Sequence, residues 1–193
     1  MRFKNIFITK FIILFILMIL ASCSQNKFNS NTEDILNYLK KAQSKITLKD
    51  VKEIDKDGGT NKRVVEYDID KCIAYLNNNR SSIENLYNEI KKEIDNKTNN
   101  HVDALYVLSG INRFLLMFTG DAIEDYSIYL EELEKIQSNT PSEWILNNFF
   151  GPLLYTKEYI PLWESMNINE KMEVVVKFIQ IPEEQQKEET FNP

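Results

Sequence analysis

Histidine is nearly absent: His101 is the only one in 193 residues. A Ser–His–Asp or Cys–His triad would have to use that single imidazole, and no nucleophile-elbow motif accompanies it. Zinc usually takes several His or Cys ligands, and one His with two Cys does not supply them. Asp103, two residues on, points to another side of a helix, so His101 reads as an incidental polar residue at a helix start. Five glycines and five prolines are too few for a turn-rich β-sandwich. Basic charge is also short, with 23 Lys and Arg against 29 Asp and Glu and a net charge of −6. Phosphate binding needs a basic patch, so nucleic acid is a poor partner for this chain.

The first 25 residues carry the clearest signal. Arg2, Lys4 and Lys10 precede an apolar run from Phe11 to Ala21, the charged and greasy regions of a secretory signal. Eleven helical residues rise only about 16 Å, which is short for a bilayer core of about 30 Å. Extending the run back to Ile6 takes in Lys10, which could snorkel, so an uncleaved anchor is the alternative. The run ends Leu20-Ala21-Ser22-Cys23, which resembles the lipobox of bacterial lipoproteins. The resemblance implies a covalent lipid on Cys23, the small residues before it fitting the signal peptidase, and a mature chain that begins there. Two acyl chains suffice for stable anchoring where one is marginal. Ser24 implies outer-membrane export if the cell has two membranes. A chain starting at Cys23 keeps 20 basic and 29 acidic residues, a net −9. Its one remaining thiol, Cys72, then has no intramolecular partner. Ile69, Cys72, Ile73 and Leu76 share a helix face, so Cys72 is expected to be buried.

The expected organisation is a signal peptide at 1–22, a lipidated tether at 23–31, a helical domain at 32–181 and a disordered acidic tail at 182–193. The fold class is all-α, a single compact multi-helix domain of about eight helices, with a short α-solenoid as the alternative. The first helix is expected from Asn31 or Thr32, capped by Ser30 or Asn31, with Ile35, Leu39, Ala42 and Ile46 on one face. Leu48, Val51 and Ile54 suggest a short helix over 48–55, and no convincing hairpin is visible. "RVVEY" (63–67) reads as an extended piece or a helical lead-in. Asp68 can cap the helix of Cys72. Ser81 and Glu84 form a capping box ahead of Ile83, Leu86, Tyr87, Ile90 and Ile94. Residues 101–118 are apolar on most faces, as in a central buried helix. A membrane span there is rejected, because His101, Asp103, Asn112 and Arg113 would be costly in lipid. Asp121 is expected to start a long acidic helix to about Gln137. Thr140, Pro141 and Glu143 mark another start, and Gly151–Pro152 its stop. Asn167 and Glu170 box a last helix over 168–180.

Four constellations could carry chemistry. "DKDGGTNKRVVE" resembles an EF-hand calcium loop through Asp55, Asp57 and Glu66. It departs at Gly59, Thr60 and Lys62, and a solvated turn is the preferred reading, with no metal or other cofactor expected. His101 is treated above. The acid-rich stretch 121–134 reads as a solvated face, with a docking surface for a basic partner or carboxylate-based hydrolysis as alternatives. "WILNNFFGPLLYTKEYIPLW" sets six aromatics around two helix breaks. Aromatic side chains anchor recognition surfaces, so Trp144, Phe149, Tyr155, Tyr159 and Trp163 are the candidate binding residues. The function expected is a membrane-anchored, non-catalytic protein- or peptide-binding module of the cell envelope, of which an immunity-type protein is one form. The alternatives are a structural or surface lipoprotein without a single ligand and a carboxylate-based envelope hydrolase. The expected partners are the membrane, through the lipid, and a protein of the envelope.

Overall fold

The computed structural model describes residues 25–54, 62–136 and 139–180. The signal region with Cys23 lies outside the described residues, as do Asp55, Asp57 and the tail from 181 on. The described part of the first helix, α1, covers 25–43. It is followed by strands β1 (Thr47–Ile54) and β2 (Lys62–Asp68), then α2 (Asp70–Asn78), α3 (Arg80–Asp95) and α4 (His101–Thr119). The chain continues with α5 (Ser127–Lys135), α6 (Glu143–Ile145), a π turn (Leu146–Phe150), α7 (Gly151–Leu154), α8 (Ile160–Ser165) and α9 (Ile168–Ile179). The protein is mostly helical with one small two-stranded sheet, as an all-α class requires.

The core is organised around α4, whose residues from Ala104 to Asn112 are all buried. Helices α2, α3, α5 and α9 all pack on it, an arrangement around one axis rather than a stack of helix pairs. Its length and composition would let it cross a membrane, but here most of it is buried inside the protein, and Met117 near its end stays exposed. Gly110 admits two rings. A Cβ there would stand 3.0 Å from Cε1 of Phe150 and 3.2 Å from Cε1 of Phe149. Those two rings meet edge to face, 5.0 Å between centroids.

The expected tether and the cap at residues 30–32 are corrected. Residues 25–31 are helical, Phe28 is 1% exposed, and the Thr32 hydroxyl donates to the Phe28 carbonyl at 2.9 Å. Phe28, Thr32, Ile35, Leu39 and Ala42 form one buried stripe, so apolar contact holds a segment whose polar composition reads as loop.

Of the helix expected over 48–55, residues 48–54 are strand, and the hairpin is real. Strands β1 and β2 pair antiparallel, with Leu48 opposite Tyr67 and Val51 opposite Val65, and a bulge between Leu48 and Asp50. Spacing of three, as in Leu48–Val51–Ile54, suits a helix, but the β-branched residues of both segments favour a pleated pair. The strands pack on each other and on no helix to a comparable extent.

Other boundaries moved for local reasons. The Ser81–Glu84 box does not form. Helix α3 begins at Arg80, whose Nε donates to Glu84 at 2.8 Å while its Nη2 reaches the Ala122 carbonyl at 2.9 Å. Asp121 starts no helix, because Oδ1 of Asn112 accepts the N–H groups of Ile123 (2.8 Å) and Glu124 (3.1 Å). That capture holds the backbone open until Ser127. Ser142, not Thr140, caps α6. Its hydroxyl accepts from Ile145 and donates to Asp103 Oδ2, and its N–H donates to Asp103 Oδ1, each of these last two at 2.6 Å. Gly151–Pro152 does not stop the helix. The Gly151 N–H reaches back to Leu146, and the wider π turn precedes a proline that has no N–H to lose. The Asn167–Glu170 capping box is present. Cys72 is buried, and burial pushes its thiol pKa up.

Candidate functional site

The five aromatic candidates divide by position. Phe149 and Trp163 are core, 0% and 1% exposed. Trp144 is half-buried against the core, and its carbonyl accepts from Asn148 Nδ2. Trp163 fits because Gly151 has no side chain: a Cβ there would lie 2.7 Å from its Nε1. The Lys171 ammonium stands 5.6 Å from the centroid of the Trp163 ring. Tyr155 is half-buried beside Trp163, with ring centroids 5.4 Å apart, while Tyr159 is 62% exposed.

Tyr155 lines a groove of about 720 Å³ between the end of α1 and the α7–α8 connection. Its apolar wall includes Ile46, Pro152, Leu154, Tyr155 and Ile160, and its polar positions are Lys40, Gln43, Ser44, Thr156 and Lys157. No Asp or Glu lines it. The wall is closed on one side by Gln43, whose Nε2 donates to the Leu153 carbonyl at 3.0 Å. The α7–α8 side was legible as an aromatic segment with backbone breaks. The α1 side was missed. Its sequence signal is the run 35–49, which holds Lys40, Lys41, Lys45 and Lys49 and no acid.

A second, polar depression of about 710 Å³ lies between α1 and the α2–α3 junction, with Asn37, Tyr38, Tyr75, Asn79 and Asn85 in its lining. Lys45 covers one face of the Tyr75 ring at 5.0 Å.

The acid-rich stretch is not a uniformly solvated face. Glu124 is half-buried and holds Lys91 Nζ and the Tyr129 hydroxyl, both at 2.5 Å. Tyr129 in turn receives the Tyr87 hydroxyl at 3.1 Å, and Tyr87 accepts from Asn112 Nδ2 at 2.7 Å. Burial alone would raise the Glu124 pKa, but the Lys91 and Tyr129 hydrogen bonds outweigh it and hold the carboxyl below its ordinary value. A general acid needs the opposite shift. Burial also pushes Tyr87 up to about 12. Glu132 pairs with His101, Oε1 to Nε2 at 2.9 Å, so the lone histidine ties α4 to α5.

Of the calcium-loop candidates, Asp55 and Asp57 lie outside the described residues. Glu66 sits on β2 and pairs with Lys49 at 2.7 Å. Strands flank this segment, where an EF-hand has helices. Among the described residues no group of three or more His, Cys, Asp or Glu is arranged to hold a metal ion.

Fold and groove together define a small helical domain with a projecting hairpin and an apolar cleft at its base. Comparison with protein-family models, with curated proteins and with solved structures finds no match to this chain.

Proposed function

We propose that this chain is a membrane-anchored lipoprotein, lipidated at Cys23, that acts as a non-catalytic protein- or peptide-binding module in the cell envelope. The lipobox-like Leu20-Ala21-Ser22-Cys23 supports the anchor. The observation that carries the binding role is the open groove, apolar in its wall and free of acids. Its size falls in the range of ligand sites, about 300–1,000 Å³. The absence of carboxylates from its lining disfavours the hydrolase alternative, whose chemistry needs two of them across a cleft.

The geometry gives this reading a direction. Phe28 is in the core only five positions after Cys23, a reach of at most about 18 Å of extended chain. The body therefore sits against the membrane rather than on a stalk. From residue 25 to residue 43, α1 rises about 27 Å. It runs antiparallel to α3, with Lys27 paired to Glu89 near one end and Lys41 lining one depression with Asn79 near the other. The groove and the hairpin adjoin the C-terminal end of α1, the end remote from residue 25, so on this proposal they would face away from the bilayer.

Two measurements test the proposal. Cells fed a clickable palmitate analogue should label the wild-type chain and leave Cys23→Ser dark; a dark wild type removes the anchor. A photo-crosslinking amino acid in place of Tyr155 should trap a discrete partner that the same group in place of Ser127 does not. Equal or absent products from both positions would remove the groove.

A further inference from the structure

The geometry points to an extended, acidic segment of a partner protein, with apolar side chains between its carboxylates, as the occupant of the groove and of the adjoining hairpin face. The inference rests on the binding-module reading and names the chemistry of its partner. Charge is the first argument. The chain is net acidic, yet Lys40 on one wall of the groove and Lys157 on the other face no lining acid. Neither lysine makes an ion pair with a described residue. The nearest acid in sequence, Glu158, is engaged with the Thr156 hydroxyl, which holds its pKa low. Two exposed lysines at the rim of an apolar cleft that no acid lines favour a carboxylate-bearing ligand and disfavour a basic one.

Continuity is the second argument. Ile46 in the groove leads directly into β1, where Leu48 is 59% exposed opposite Tyr67 at 58%, with Val65 at 42% on the same side. Three large apolar side chains on one face of an isolated hairpin form a strip that begins where the groove ends. A two-stranded sheet also leaves both outer edges unpaired among the described residues. An extended chain satisfies such an edge by strand addition and presents alternate side chains to the face. A helix would satisfy neither backbone edge.

The test uses the full chain, immobilised from detergent micelles, and a displayed library of random 12-residue peptides. The expected result is enrichment of sequences that alternate Asp or Glu with apolar residues. Their affinity should fall at least tenfold in Lys40→Glu/Lys157→Glu, less in Lys40→Gln/Lys157→Gln, and severalfold in Leu48→Ser/Tyr67→Ser. Circular-dichroism melts of these exposed-site variants should overlay the wild type. Enrichment of basic or neutral peptides that still lose binding in Tyr155→Ala would overturn the acidic partner and leave the binding-module reading standing. Enriched peptides indifferent to every groove variant, or no enrichment at all, would overturn both.

Discussion

The hairpin and the helical body use the same kinds of residue to opposite ends. In the body, Ile83, Tyr87, Ile90, Val107 and Val175 are all fully buried. In the hairpin, Leu48, Val65 and Tyr67 stand in solvent. The body has a central helix for its amphipathic faces to meet, whereas among the described elements β1 and β2 pack chiefly on each other. A two-stranded hairpin alone is marginal in water, so these side chains add little to the stability of the free protein. Burying them against a partner would disrupt no packing of the body, at the ordinary cost of ordering exposed side chains. If the binding-module proposal holds, stability and recognition fall to different regions, and substitutions should separate them.

The largest effect is expected in the body. Phe149→Ala removes a fully buried ring against Gly110 and should cost about 3–5 kcal/mol in denaturant unfolding. If the loss is under 1 kcal/mol, the ring is not the keystone its packing implies. Next is Asn112→Ala, which strands the N–H groups of Ile123 and Glu124 and removes the hydrogen bond that the Tyr87 hydroxyl accepts. A loss of about 2–3 kcal/mol is expected, with amide exchange accelerated over 121–126 first. Gly151→Ala forces a Cβ against the indole of Trp163 and should cost about 1–3 kcal/mol, read as a red-shifted tryptophan emission and a lower Tm.

Acid should act on the body through Glu124. Its folded-state pKa is depressed, so its contribution is fully present above the unfolded carboxylate value of about 4.3. It is lost as pH falls through the folded pKa. Glu124→Gln should flatten the decline in Tm below about pH 4.5, and an unchanged slope would assign that decline to other carboxylates. Partly exposed Glu89, held to about 2 by the hydrogen bonds of Lys27 and Lys92, titrates lower in the same direction. The smallest stability change belongs to the hairpin. Leu48→Ser/Tyr67→Ser should shift unfolding by no more than about 0.5 kcal/mol, as surface substitutions do. A large loss there would mean that the strip is packed in the free protein and is not a recognition surface.

The body was largely legible. The stripes Ile83–Tyr87–Ile90 and Cys72–Leu76, the greasy 101–118 segment and the Asn167–Glu170 box depend on contacts within a turn or two. The long-range partners were not. Asn112 looked like a penalty in an apolar helix, and it organises the chain eleven residues ahead. Asp103 drew the α6 cap from Thr140 to Ser142, thirty-nine residues away. Of the aromatic set, Tyr155 lines the groove and Tyr159 is exposed outside its lining, whereas Phe149 and Trp163 are core, and nothing in local spacing tells a buried ring from an exposed one. The α1 wall was missed because its lysines carry no motif.

What the amino-acid order determined alone is the helical character, the apolar faces and the lipobox-like N-terminal segment, because periodicity, caps and short motifs are local properties. What only the tertiary structure decided is that residues 25–31 join α1, that 47–54 and 62–68 pair as strands, and that Lys40 faces Lys157 across a cleft. Each of those depends on which distant segment supplies the other half of a contact, and backbone hydrogen bonds and burial are settled by that partner rather than by neighbours in the chain.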